Sequence, residues 1–158
     1  MEKLSLILWR ERELLETLAY KLEVEQLILA SGRTRWLAHS TKEVEEVLEL
    51  LRETEVLRAI AADEVAEELG LAPAPTLSAI AEAAAEPWRA ILDDHRTAFV
   101  TATREIAELS ESNRGLITAG YRSARETLLS LGGNADGYSP DGSAVLDAPR
   151  KRLLDRSL

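Results

Sequence analysis

Apolar residues recur at helical spacing from the start of the chain. One leucine series repeats every seven residues, at Leu8, Leu15, Leu22 and Leu29. A heptad series of this kind is typical of a long helix that packs along one stripe. Gly32 follows, and glycine tolerates the left-handed backbone that commonly ends helices. The pattern predicts a first helix over about residues 3–31. Glu11 and Glu25 fall on its stripe, so we expect them to face water or to pair with a cation.

A second tract of helical periodicity follows a short connection. Ser40 and Glu43 are three residues apart, the spacing of a capping box at a helix N-terminus. Apolar residues then recur every three or four positions until Gly70. These signals predict a second helix over about residues 41–69. Two helices joined by a short connection usually lie antiparallel.

The third tract is the longest. Two prolines in residues 71–76 predict a linker, because proline lacks an amide donor and disfavours helix at the preceding residue. Helical spacing then runs over about residues 76–131, with a break near Pro87, which suits the first position of a helix. So long a stripe must lie along the other helices or along a partner. We therefore expect an all-α fold, an elongated antiparallel three-helix bundle or coiled coil over residues 1–131.

Residues 132–158 differ from the rest in composition. Five glycines and prolines fall between residues 132 and 142, and four acids balance four bases over the segment. This composition predicts a flexible C-terminal tail. Apolar residues within it are candidates for folding on a partner: Tyr138, Val145, Leu146, Leu153 and Leu154.

Composition narrows the range of functions. The chain has 28 acids against 19 bases, a formal charge of −9, no cysteine and two histidines. Disulfides, thiolate nucleophiles and most zinc sites are excluded. Clustered Lys and Arg are needed to bind phosphate, so the acidic balance disfavours nucleic acid and anionic membranes. No apolar run is long enough for membrane insertion, and the N-terminal run is too short for an export signal. We expect a cytoplasmic protein that binds other proteins.

No motif in the sequence points to catalysis. His95 follows two aspartates, but adjacent helical side chains point about 100° apart, and His95 lies on the apolar stripe. We predict a buried histidine there. The Glu-x-x-His pairs of di-iron bundles are missing, and residues 132–137 lack the spacing and lysine of a phosphate loop. We therefore expect no enzyme activity, no metal and no cofactor.

Three residues late in the third tract stand out. Asn113 lies on the apolar stripe, where a buried amide often fixes the register of packed helices. Gly115 and Gly120 each weaken a helix by roughly 1 kcal/mol relative to alanine. The glycines fit either a locally soft partner site or close packing of another helix, and the sequence leaves both readings open.

The end of the third tract and the segment after it resemble the FlgN family of flagellar export chaperones. The resemblance is carried by residues 111–117, residues 121–131, the Gly132-Gly133 pair and the segment from Tyr138 to Gly142. That family shows an asparagine followed by Leu or Ile pairs late in its last long helix. It then has a Tyr-Gly-x-x-Gly-like segment in the tail. This chain departs from the pattern at Ser139, which stands where glycine usually follows the tyrosine.

The resemblance implies a cytoplasmic chaperone for hook-associated proteins, the subunits of the hook–filament junction. Such a chaperone binds an amphipathic terminal helix of its client and delivers the client to the flagellar type III export gate. An apolar stripe suits this helix-in-groove recognition. The expected client-binding residues are Asn113, Leu116, Ile117, Tyr121, Ala124, Leu128 and Leu131. By analogy with the family's tail tyrosine, Tyr138 is expected to contact the gate.

Two other classes of function fit the same pattern. A coiled-coil scaffold would bury the stripe in a homodimer and would need neither a client nor the tail. A helical regulator would bind a small ligand inside the bundle, although no convergent polar pocket is visible in the sequence. Whether the free protein forms a homo-oligomer is left open.

Overall fold

A computed structural model describes residues 1–135, with side chains through residue 131. Four α-helices and one 3₁₀ turn make up its regular structure, and the all-α class is confirmed for these residues. The helices are α1 Glu2–Ser31, α2 Leu37–Leu69, α3 Leu77–Ala83 and α4 Trp88–Ala135, with the 3₁₀ turn at Thr34–Trp36. None of the helices in this part of the chain is long and apolar enough to cross a membrane.

The observed ends of α1 and α2 can be compared with the local signals in the sequence. Gly32 and Gly70 follow α1 and α2 in the left-handed conformation, at φ 68° and 69°, which confirms both predicted stops. The predicted capping box was wrong. The second helix already begins at Leu37, no side chain caps its N-terminus, and Ser40 is buried inside it. The 3₁₀ turn leads directly into the helix and makes a side-chain cap at Ser40 unnecessary.

The third tract contains two helices. Residues 70–76 are not helical, as the prolines predict, and Thr76 caps α3 by accepting a hydrogen bond from the amide of Ala79 at 3.1 Å. Residues 84–87 separate α3 from α4, where the sequence predicts a break near Pro87, and α4 begins at Trp88, one residue after the proline. The carbonyl of Pro87 accepts a hydrogen bond from the amide of Ile91, so the proline immediately precedes α4.

Contacts divide the chain into two compact units, Met1–Ile117 and Thr118–Leu158. Within the first unit, α1 and α2 run in opposite directions, because Lys3 pairs with Glu64 and Lys21 pairs with Glu43. The first part of α4 runs in the same direction as α1. Arg12 bonds Asp94 at 2.7 Å, and ten residues later along α1 the Leu22 carbonyl meets α4 further along. These directions are compatible with the predicted bundle.

The first unit has two apolar cores. One joins α1, α2, α3 and the start of α4 and consists of Leu4, Leu8, Ala61, Val65, Ile80, Ala81, Ala84 and Leu92. The other lies between α1 and α2, with Ile106 and Leu109 of α4 packed against it, and consists of Leu14, Leu18, Leu22, Val44, Val47 and Leu51. Burying each such large side chain contributes about 1.5–3 kcal/mol. The cores therefore fix α4 against α1 and α2 as far as residue 109.

The two glutamates on the first stripe are both buried, for different reasons. Glu11 lies 3.0 Å from the guanidinium of Arg58 on α2, which confirms pairing with a cation at that position. Burial raises the pKa of Glu11 above its usual 4.5, with Arg58 acting in the opposite direction. Glu25 is held by hydrogen bonds instead, from Thr41 and from Asn113.

His95 is fully buried, as predicted, between α1 and α4. Its ring meets the edge of Trp9 at 4.9 Å between centroids and stacks on Phe99 at 6.2 Å. Neither ring nitrogen has a hydrogen-bond partner among the described residues. Burial lowers the pKa of His95, the positive charge of Arg12 lowers it further, and Asp94 opposes both.

The buried imidazole makes stability depend on pH. The unfolded chain titrates near 6.5 and the folded chain below it, so the unfolded state binds the proton first. We expect the free energy of unfolding to fall as pH drops below about 6.5 and to level off below the folded pKa of His95. Each unit by which folding lowers the pKa of His95 removes about 1.4 kcal/mol from the free energy of unfolding.

Urea denaturation from pH 7.5 to pH 5 checks this expectation. The control is His95→Leu, which places an apolar side chain that does not titrate at the site. This variant should lose less stability over the same pH interval. Equal pH profiles for the two proteins would contradict the assignment, since the other titrating groups are common to both.

Candidate functional site

The candidate site begins at a buried amide. Asn113 is 3 % exposed, and its Nδ2 donates to the Leu22 carbonyl at 2.9 Å and to Glu25 Oε2 at 3.1 Å. The second oxygen of Glu25 accepts from the Thr41 hydroxyl at 2.9 Å. One carboxylate thus links α1, α2 and α4, and Asn113 fixes the register of α4 on α1. A direct contact between Asn113 and a client stays a prediction.

Beyond Asn113 every described residue of α4 up to residue 131 is exposed, except Leu116. Ser112, immediately before Asn113, accepts a hydrogen bond from Gln26 of α1 at 2.6 Å. Leu116 is half-buried, and Ile117 is 50 % exposed. Among the described atoms, nothing lies within 4 Å of where a Cβ at Gly115 would stand. Close helix packing therefore does not account for that glycine.

The second unit presents an apolar face. Tyr121, Ala124, Leu128 and Leu131 follow one another at spacings of three and four residues, which places them on one side of the helix. All four are exposed, with Tyr121 at 73 %, Leu128 at 71 % and Leu131 at 64 %. Large exposed apolar side chains clustered in this way mark interaction surfaces more often than scattered ones do.

Leu129 is a further exposed leucine of this segment, and the sequence pattern did not identify it. It lies about 100° round the helix from Leu128, off the predicted stripe, yet it is 66 % exposed. The available signal was the apolar pair Leu128-Leu129, because two adjacent helical residues cannot both lie on one narrow stripe. We call Tyr121, Ala124, Leu128 and Leu131 the α4 face.

The chemistry of the α4 face is that of recognition. Its members offer methyl groups and one phenol ring, which can bury against the apolar side of another helix. The Asp-Asp-His run makes no catalytic arrangement: Asp94 bonds Arg12, and His95 is buried among aromatic rings. No group of acidic or histidine side chains within the described residues could hold a metal ion. Tyr138, the predicted gate contact, lies outside the described residues.

A comparison with protein-family models places these features in a family. The model described as FlgN protein matches residues 1–145, which include all of α1 to α4. No curated protein and no solved structure matched the chain. FlgN proteins are a family of flagellar export chaperones and are not known as enzymes. The family match confirms the resemblance seen in the sequence, and the chain belongs to the FlgN family.

Proposed function

We propose that this FlgN-family protein is a cytoplasmic type III export chaperone that binds the terminal amphipathic helix of hook-associated proteins and delivers them to the flagellar export gate. The observation that carries the proposal is the exposed α4 face, where Tyr121, Leu128 and Leu131 each leave more than 60 % of their surface in water. A client helix that covered them would bury apolar area and stay unavailable for assembly.

The proposed client-binding residues divide between the two compact units. Tyr121, Ala124, Leu128 and Leu131 supply apolar surface in the second unit. Leu116 and Ile117 end the first unit on the same helix, and Asn113 holds that helix on α1 through Leu22 and Glu25. Because α4 continues to Ala135, the flexible tail predicted for residues 132–158 begins, in this proposal, only after Ala135. The packed helices of the first unit are the scaffold that holds α4.

Calorimetry with purified components tests the proposal. The full chain is titrated with synthetic terminal helices of hook-associated proteins from the same organism, and a scrambled peptide of the same composition is the control. We expect micromolar or tighter binding of the native peptides alone. Sedimentation of the free chain distinguishes the scaffold alternative. A tight homodimer that binds none of the peptides would replace the chaperone with a coiled-coil scaffold.

The gate contact is tested separately from client binding. We expect Tyr138→Ala to leave the affinity for the client helix unchanged and to abolish binding to the purified cytoplasmic part of the export gate. A tyrosine in a tail offers a ring and a hydrogen-bonding tip at low entropic cost, and truncating such an anchor removes much of the binding energy. Both affinities are measured by surface plasmon resonance.

Tyr138→Phe is the matched control for this prediction. It keeps the ring and should retain most of the gate affinity. Unchanged gate binding by Tyr138→Ala would contradict the assignment of Tyr138, and loss of client binding by the same variant would contradict the division of roles.

A further inference from the structure

The solvent side of α2 carries a second apolar surface. Four large apolar side chains are exposed within eleven residues: Leu50 at 42 %, Val56 at 61 %, Leu57 at 55 % and Ile60 at 51 %. At 100° per residue they span about 120° of the helix, and the middle of that arc lies more than 100° from Val47 and Leu51 of the core. We call these four residues the α2 face. None of them belongs to either core cluster.

Acidic residues surround the α2 face. Helix α2 contains ten acids and three bases. The bases are already engaged: Lys42 pairs with Glu46, Arg52 pairs with Glu49 at 2.8 Å, and Arg58 lies against buried Glu11. Glu53, between Leu50 and Leu57 on the same side, is not the partner of any of these three bases in the part of the chain that the structure describes. The α2 face therefore combines exposed apolar surface with uncompensated negative charge.

We propose that the α2 face docks a basic amphipathic helix of another protein. Apolar side chains of that helix would bury Val56, Leu57 and Ile60, and its Lys or Arg residues would meet the glutamates alongside. The charge excludes the competing occupants. A second copy of α2 would bring glutamates against glutamates, and anionic lipid or nucleic acid would be repelled by the same field.

This surface is separate from the proposed client-binding site. The α2 face lies on α2, whereas all the proposed client-binding residues, from Asn113 to Leu131, lie on α4. Its recognition chemistry also differs, since opposite charge contributes to it as well as apolar burial. The chain would then have one surface for the client and another for a basic helical protein.

Fluorescence anisotropy with a defined probe tests the proposal on the full chain. The probe is a labelled 18-residue helical peptide of leucine and lysine, with leucines at i, i+3, i+4 and i+7, and the matched probe replaces each lysine with glutamate. We expect the lysine peptide to bind, the glutamate peptide to bind at least tenfold more weakly, and high salt to weaken the lysine complex.

Two pairs of substitutions locate the binding surface. We expect Leu57→Ser with Ile60→Ser, and separately Glu49→Gln with Glu53→Gln, each to raise the dissociation constant of the lysine peptide at least tenfold. The matched control, Tyr20→Ser with Leu27→Ser, changes side chains on α1 that are 61 % and 64 % exposed and should leave the constant unchanged. Circular dichroism confirms that each variant is folded.

Three results would overturn the proposal. One is equal affinity of the α2 variants and the unaltered chain for the lysine peptide. Another is equal affinity for the lysine and glutamate peptides, which would show apolar contact without charge recognition. The third is a homodimer in sedimentation that Leu57→Ser with Ile60→Ser dissociates, which would make the α2 face a self-association surface.

Discussion

Replacing Leu128 and Leu131 together with serine is expected to abolish binding of the client helix and to leave the chain as stable as before. The two leucines are 71 % and 64 % exposed, so each gives up little burial when shortened. Exposed substitutions of this kind usually change the free energy of unfolding by less than about 0.5 kcal/mol. Covering both leucines in a complex contributes about 1.5–3 kcal/mol each. The expected loss of affinity is therefore roughly a hundredfold or more.

Calorimetry against the client peptide and urea denaturation measure the two halves of this prediction. Leu27→Ser on α1 is the control, because Leu27 is 64 % exposed and lies off the α4 face. Undiminished peptide binding by Leu128→Ser with Leu131→Ser would exclude the α4 face as the client site. Unfolding of the double variant would show that these leucines are core residues, and the stripe would then need no client.

The sequence predicted most of the helix boundaries, because local signals determine them. Gly32 and Gly70 end helices because glycine adopts the left-handed backbone easily. The prolines before Thr76 prevent a helix there, whatever side chains surround them, because proline lacks an amide donor. The capping box failed where a competing local signal was stronger. The 3₁₀ turn at Thr34–Trp36 starts the helix early, and Ser40 is then a buried position inside the helix.

Burial was harder to predict than helix position. Leu57 and Val65 are both apolar positions of the second tract, yet Leu57 is 55 % exposed and Val65 is 3 % exposed. The difference depends on which side chains of α1 and α3 cover each position, and the periodicity of one helix does not contain that information. The same reason explains why Leu129 and the α2 face were missed. Periodicity identifies an apolar stripe but does not determine whether another part of the chain covers it.

For Asn113 the sequence predicted a role but not the hydrogen-bond partners. Its position on a stripe predicted a register role, and the structure adds the partners, the Leu22 carbonyl and the Glu25 carboxylate. Those partners are 91 and 88 residues away along the chain. Only the packing of α1 against α4 brings them together, so the sequence alone identified the residue type and not the contact.

Asn113→Asp is expected to be the most destabilising of the proposed substitutions. The amide nitrogen that donates to Glu25 would be replaced by an oxygen, and two carboxylates would face each other in a buried site. An uncompensated buried charge typically costs about 3–5 kcal/mol. The exposed control Ser110→Asp, one turn earlier on α4, should change stability by less than about 0.5 kcal/mol. Urea denaturation at pH 7.5 measures both variants.

The cost of Asn113→Asp should also depend on pH in a defined direction. Facing carboxylates raise the pKa of the pair, so the folded variant binds a proton more tightly than the unfolded chain does. Its stability should therefore recover as the pH falls through that raised pKa, and adding Glu25→Gln should restore it at pH 7.5, since the new amide can donate to the aspartate. A stable Asn113→Asp chain at pH 7.5 would place residue 113 in contact with solvent. That result would favour the direct client contact over the register role, because an exposed side chain is available to a partner.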